Sequence, residues 1–330
     1  MRTRHPGGTI ASMTRFTELV GCRLPIQLAP MGTVGCSVEL QLEVARAGAH
    51  PVYPGVDVPA PRLAAALDAI GEEATAFGVN FIVPLLDPEA LAVAVERAPF
   101  VDFFHGDPDP ALVARVHAGG ALASWQVGSP AEALAAAEAG CDVLVAQGDE
   151  AGGRIRGSQP RMKLLAQVVR AVDVPVLAAG GIRNAGDVAD AIAAGAAGVR
   201  VGTRFVAARE ANAHPAYQQA LVDAGPDESV VTRVFAAGVA DLPHRVLRRS
   251  LVGAQLLDAE VVGQMSLGDG AERLPRYTSL APGRDFTGAV EAMPFYAGRS
   301  VEGVRRIAPA AEIVSELAEN LARAGAPSGT

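Results

Sequence analysis

Short runs of β-branched and apolar residues alternate along this chain with alanine-rich stretches of one helix's length. Parallel strands need a crossover between them, so this alternation is what βα units and a parallel sheet produce. The pattern predicts strands over 25–30, 50–54, 76–82, 100–105, 121–126, 142–146, 175–179 and 198–202. It predicts helices over Val38–Gly48, Ala60–Ile70, Pro88–Ala98, Pro110–Ala118, Pro130–Ala139, Arg161–Val172 and Asn184–Ala194. Proline or a polar cap opens several of them, and Gly48, Gly119, Gly140 and Gly195 close others. The expected fold class is α/β, a (β/α)8 TIM barrel with a helical insertion after strand eight. A doubly wound sheet is the alternative, but no G-x-G-x-x-G follows an early strand.

After Phe205 the rhythm changes. Residues 211–275 read as largely helical with no clear β period, and 275–300 are rich in proline, glycine and aromatics. Ala308–Ala324 has the pattern of an amphipathic helix that supplies the missing wall of the barrel. The expected organisation is a disordered tail over 1–12, a barrel over 13–210, a mostly helical insertion or lid over 211–283, and a C-terminal segment over 284–330 that packs back on the barrel.

Half of the 330 residues are hydrophobic, enough for a sizeable core without disulfides. A net charge of −8 argues against a general nucleic-acid surface. No apolar run approaches membrane-spanning length, and residues 1–12 lack the apolar segment of a secretory signal. Cys22, Cys36 and Cys141 have no C-x-x-C spacing and read as reduced thiols of a cytoplasmic protein. Abundant alanine and arginine suggest a GC-rich bacterial source. Lys163, at a helix start, is the single lysine, which sets Schiff-base chemistry aside.

Two glycine turns carry the functional signal. Gly180-Gly181 closes the seventh expected strand, and Gly202-Thr203 closes the eighth. In a barrel these two loops commonly build a phosphate site, because glycine lets the backbone come close and helix starts offer unpaired N–H groups. The expected ligand is phosphorylated, flavin mononucleotide (FMN) first among the candidates. The other reading is a pair of turns that only pack the barrel.

Pro25-Ile26-Gln27-Leu28-Ala29-Pro30-Met31, Gly78-Val79-Asn80, Ala146-Gln147-Gly148-Asp149-Glu150-Ala151-Gly152-Gly153, the 176–205 segment and Tyr296-Ala297-Gly298-Arg299-Ser300 together resemble the nitronate monooxygenase (2-nitropropane dioxygenase) family of FMN-dependent barrels. The resemblance runs from Arg15 to about Ala324. It implies that Pro30 and Met31 lie against the isoalloxazine and that Asn80 and Gln147 hydrogen-bond the ring. By the same likeness Gly152 belongs to the cofactor loop, while Gly180, Gly181, Gly202 and Thr203 hold the phosphate. The family also includes flavin-dependent enoyl reductases, so the resemblance does not fix the reaction.

The family motif E-A-G-G-H ends in a histidine base; here that position is Arg154. Arginine keeps its proton and cannot serve as a general base. Three readings stay open: a surface Arg154 paired with Asp149 or Glu150 in a protein that has lost catalysis, an already anionic substrate gripped by the guanidinium, or a base displaced to His105 at the end of strand four. His5, His50, His117, His214 and His244 are poorer candidates, the last two falling in the expected helical insertion, and no metal is expected. Arg299 stands where relatives carry glutamine, either near a phosphate or facing solvent. The expected activity is oxidation of a nitronate or related small anion with O2, with Arg154 and His105 as the catalytic candidates. An NAD(P)H-dependent enoyl or quinone reductase and a silent flavin-binding protein are the alternatives. An apolar face on the insertion leaves room for a homodimer.

Overall fold

The computed structural model describes residues 13–237, 239, 242–267 and 270–321. The tail expected over 1–12, and residues 322–324 of the expected last helix, lie outside them. Strands β1 (Ile26–Leu28), β2 (Val52–Pro54), β3 (Gly78–Ile82), β4 (Phe100–Phe104), β5 (Leu122–Val127), β6 (Val143–Gln147), β7 (Val176–Ala179) and β8 (Gly198–Val201) form one parallel sheet. Their order is β1-β8-β7-β6-β5-β4-β3-β2. A parallel bridge between Gln27 and His50 joins the two outer strands. His50 N–H donates to the Ile26 carbonyl at 2.8 Å, and Leu28 N–H to the His50 carbonyl at 2.9 Å, which closes the ring. The fold is the expected barrel.

Successive strand residues point to opposite faces, and the burial follows that rule. Val101, Phe103, Leu144, Ala146, Val199 and Val201 pack in the large core with helix residues such as Leu63, Leu91 and Leu164. Phe100, Val143, Val145 and Leu177 instead form a small plug with Phe16, carried by the helix Arg15–Val20. Asp87, Asp109 and Ser129 cap the helices Pro88–Arg97, Pro110–Ala118 and Pro130–Glu138, each with proline in its first turn. After β8 the helix Ala310–Ala318 packs against Val38–Arg46 and Ala185–Ala193, burying Ala310, Ile313, Val314 and Leu317. It completes the helical wall.

Residues 211–283 are not mostly helical. They hold two helices, Pro215–Asp223 and Arg248–Leu256, and four strands, Ser229–Thr232, His244–Leu247, Val261–Leu267 and Gly270–Pro275. In the strand Val261–Leu267 the alternation is obscured by a β-bulge between Val261 and Gly263. It places the buried Val262 and Met265 three residues apart, a helical spacing in sequence. His244 therefore lies on a strand, paired antiparallel with Arg154 on the two-residue strand Gly153–Arg154. Among the described residues no helix is long and apolar enough to cross a membrane.

Candidate active site

A cavity of about 260 Å³ opens at the C-terminal ends of the strands and is roofed by Ser266, Ser279, Leu280, Ala281 and Tyr296 from the later segment. Pro30, Met31, Asn80, Gln147, Gly152, Gly180, Gly181, Gly202 and Thr203 all line it, and so does Arg154. His105 does not.

The two glycine turns make one donor cradle. Gly180 and Gly181 have φ of +97° and +69°, conformations that L side chains rarely adopt. The N–H groups of Gly181, Ile182, Gly202 and Thr203 donate to no other described residue. Arg161, 8% exposed, fixes the first turn: Nη1 donates to the Gly180 carbonyl at 2.6 Å. That bond turns the carbonyl away and leaves the following N–H for a ligand. Glu150 in turn accepts from the Arg161 N–H at 2.9 Å through Oε2. The Thr203 hydroxyl accepts from Gly298 N–H at 3.0 Å and keeps its own proton to donate. Four unpaired N–H groups and a hydroxyl proton suit a phosphate.

The amides divide their work. Asn80 Nδ2 donates to Asp102 Oδ2 at 2.6 Å, leaving Oδ1 as the free end on the cavity. Gln147 Nε2 donates to the Arg154 carbonyl at 3.0 Å, and its Oε1 accepts from Arg156 N–H at 3.2 Å. Gln147 thus anchors the loop that carries Arg154. Gly152 and Gly298 allow that loop to interlock with the Tyr296–Ser300 stretch: a Cβ on Gly152 would lie 2.4 Å from the Gly298 nitrogen.

Arg154 makes no ion pair or side-chain hydrogen bond among the described residues. Asp149 and Glu150 are not its partners. Arg156, two residues on, is neutralised by Asp107 at 2.9 Å and Glu132 at 3.0 Å. The half-buried Arg154 guanidinium is therefore a cation free for an anion in the cavity.

His105 is held at φ +58° with its ring 4.1 Å from that of Phe104, and its Nε2 is sealed without a partner. Burial, then the charges of Arg154 and Arg156, push its pKa down to about 4. The expected displaced base stands beside the site rather than in it. Arg299 is exposed and outside the cavity.

A polar layer below the cavity escaped the sequence reading. Arg200 pairs with Asp102 at 2.8 Å, donates to Gln126 at 2.8 Å and reaches Gln27 at 2.7 Å through Nε. Gln27 Nε2 lies 3.1 Å from His50 Nδ1, and burial followed by the Arg200 charge lowers the His50 pKa to about 3. Asp102 holds Asn80 and Arg200 holds Gln126, so the buried ion pair orients two amides on the cavity floor. Among the described residues no His, Cys, Asp and Glu group is placed to hold a metal.

A family model for nitronate monooxygenase matches residues 56–320. The chain belongs to the nitronate monooxygenase family. It is therefore an enzyme of a flavin-dependent oxidoreductase family. A carboxyl-CoA dehydrogenase of Mycobacterium tuberculosis, acting on a hydroxy-methyl-oxo-octahydroindene skeleton, is 32% identical over 72% of this chain and 67% of its own length. FabK from Thermotoga maritima superposes with a TM-score of 0.76 at 27% identity, covering 94% of this chain and 96% of that one. Nitroalkane oxidase from Streptomyces ansochromogenes gives 0.76 at 26% identity, covering 94% and 99%.

Proposed function

We propose that this protein is an FMN-dependent oxidoreductase that oxidises a nitronate, or a closely related planar oxyanion, with O2. The observation that carries the reading is the unpaired Arg154 guanidinium on the cavity that all nine expected cofactor residues line. FMN fits the donor set: Gly181, Ile182, Gly202 and Thr203 would hold its phosphate, Arg161 keeping the turn open. Pro30, Met31 and the free Oδ1 of Asn80 would meet the ring.

Bound there, FMN would supply electron transfer between substrate and O2, chemistry that no side chain here supplies. The chain does the rest. Arg154 binds the two substrate oxygens in a planar fork and fixes the reacting carbon over the cavity floor. Gln147 holds Arg154 in place through the loop backbone. Leu280 and Ala281 exclude water from above. For a nitronate the products are a carbonyl compound and nitrite. Nitrite release from propyl-nitronate by the purified, FMN-loaded protein tests the reading, and the absence of nitrite refutes it.

A second reading, reduction or oxidation of an acyl thioester with a nicotinamide partner, is favoured by the likeness to FabK and to the carboxyl-CoA dehydrogenase. Arg154 would then hold an enolate oxygen. Rapid anaerobic bleaching of the flavin by NADH or NADPH, with none by propyl-nitronate, selects it.

A further inference from the structure

Arg154 cannot act as a base, yet one group on the cavity wall has the properties of one. Asp57 follows β2 in Gly55-Val56-Asp57-Val58 and lines the cavity together with Arg154. Among the described lining residues it is the one carboxylate, and no histidine is present. Neither the thiol nor the phenols on the wall offer a base. Burial pushes the Cys36 thiol up to about 12. The Tyr217 and Tyr296 phenols are raised by burial and donate to the Tyr296 and Ser279 carbonyls.

Asp57 has no hydrogen bond or ion pair among the described residues and is open to the cavity. Its backbone is held at φ +59°, a conformation costly for most side chains and concentrated at working sites. An unpaired carboxylate and an unpaired guanidinium thus share one small cavity without forming a direct ion pair.

We propose that Asp57 is the proton acceptor with which this site makes its own nitronate from a neutral nitroalkane. The inference rests on the oxidative reading above and extends its substrates from preformed nitronates to neutral nitro compounds. The substrate's α C–H bond breaks, the proton goes to an Asp57 carboxylate oxygen, and the electron pair spreads onto the nitro oxygens held by Arg154. No electron leaves the substrate in this step. The exposed carboxyl then exchanges its proton with solvent.

Partial desolvation raises the Asp57 pKa above its usual range and the Arg154 charge pulls it back. The charged or titratable groups around it are Arg154, Arg62 and Cys36. Proton abstraction should therefore rise with pH through a single ionisation above the ordinary carboxylate range.

The test is anaerobic incubation of the FMN-loaded protein with nitroethane in D2O, following α-deuteration by NMR, with nitrite release from nitroethane and from ethyl nitronate measured separately. Asp57→Asn is suitable because asparagine tolerates a left-handed backbone. The wild type should catalyse exchange, and Asp57→Asn should lose it about 100-fold or more, the usual scale of general-base catalysis. Its loss on nitroethane should exceed its loss on ethyl nitronate by roughly 30-fold or more. Equal exchange in the variant, or no exchange by a wild type that does oxidise ethyl nitronate, overturns the proposal. Asp57-dependent exchange without nitrite from either substrate supports the proton step and sinks the oxidative reading instead.

Discussion

Replacing Gly180 with alanine probes the cradle most cleanly. At φ +97° a Cβ adds a left-handed penalty of about 1–2 kcal/mol. It would also lie 3.0 Å from the Ala151 nitrogen and 3.1 Å from the Gly148 oxygen, both main-chain atoms that yield little. The turn escapes this cost by rotating the 180–181 peptide, which breaks the Arg161–Gly180 bond and turns the Gly181 N–H away from the ligand. FMN binding must then restore the strained turn. At about 1.4 kcal/mol per tenfold, Kd for FMN should rise by about 5- to 30-fold. Fluorescence titration of the apoprotein measures it. Because bound FMN stabilises the folded state by mass action, the gain in Tm on adding a fixed FMN concentration should shrink in parallel. A Gly180→Ala variant with wild-type Kd and wild-type FMN-induced stabilisation would refute the assignment of this turn to the phosphate.

Arg154→Gln should raise KM for propyl-nitronate by about 10- to 100-fold, the value of about 1.5–3 kcal/mol for a hydrogen bond to a charged group, while leaving FMN binding intact; steady-state kinetics and flavin content check both. Arg161→Met should weaken FMN binding about tenfold without changing KM of the loaded enzyme, since one hydrogen bond to the Gly180 carbonyl is lost; a KM effect instead would place Arg161 against substrate. His105→Asn, compatible with φ +58°, should leave turnover unchanged and reduce acid sensitivity. The His105 pKa is lower folded, about 4, than its ordinary 6.5, so the unfolded chain binds the proton first and stability falls as pH drops from about 6.5 towards 4. Urea melts across that range should show a shallower fall in the variant.

The barrel was legible because several strand ends and helix starts carry residue types with one local use. Gly180, Gly181 and Gly202 close strands, and Pro88, Pro110 and Pro130 open helices at the position where a missing N–H costs nothing. The cavity followed, since a barrel puts strand ends on one rim. What the sequence hid is carried by contacts between distant residues. The bulge at Val262 gave a strand the spacing of a helix. Arg161 reads as a helix-start arginine until its contact with Gly180, 19 residues away, is seen. Arg200 and Asp102 lie 98 residues apart and meet only because inward positions of β4 and β8 face across the barrel. Asp57 follows a three-residue strand with no motif around it, so only the cavity lining singles it out. His105 misled for a related reason: its strand ends on the right rim, but the left-handed backbone turns the ring onto Phe104.

What remains to be measured is whether FMN held on the glycine cradle is reduced by an anion bound at Arg154. Anaerobic addition of propyl-nitronate to the FMN-loaded protein in a sealed cuvette tests it directly. The expected result is loss of the flavin's visible absorbance, faster than with NADH, and its return on admitting air. A protein that stays colourless with added FMN, or a loaded protein whose spectrum ignores propyl-nitronate, would contradict it.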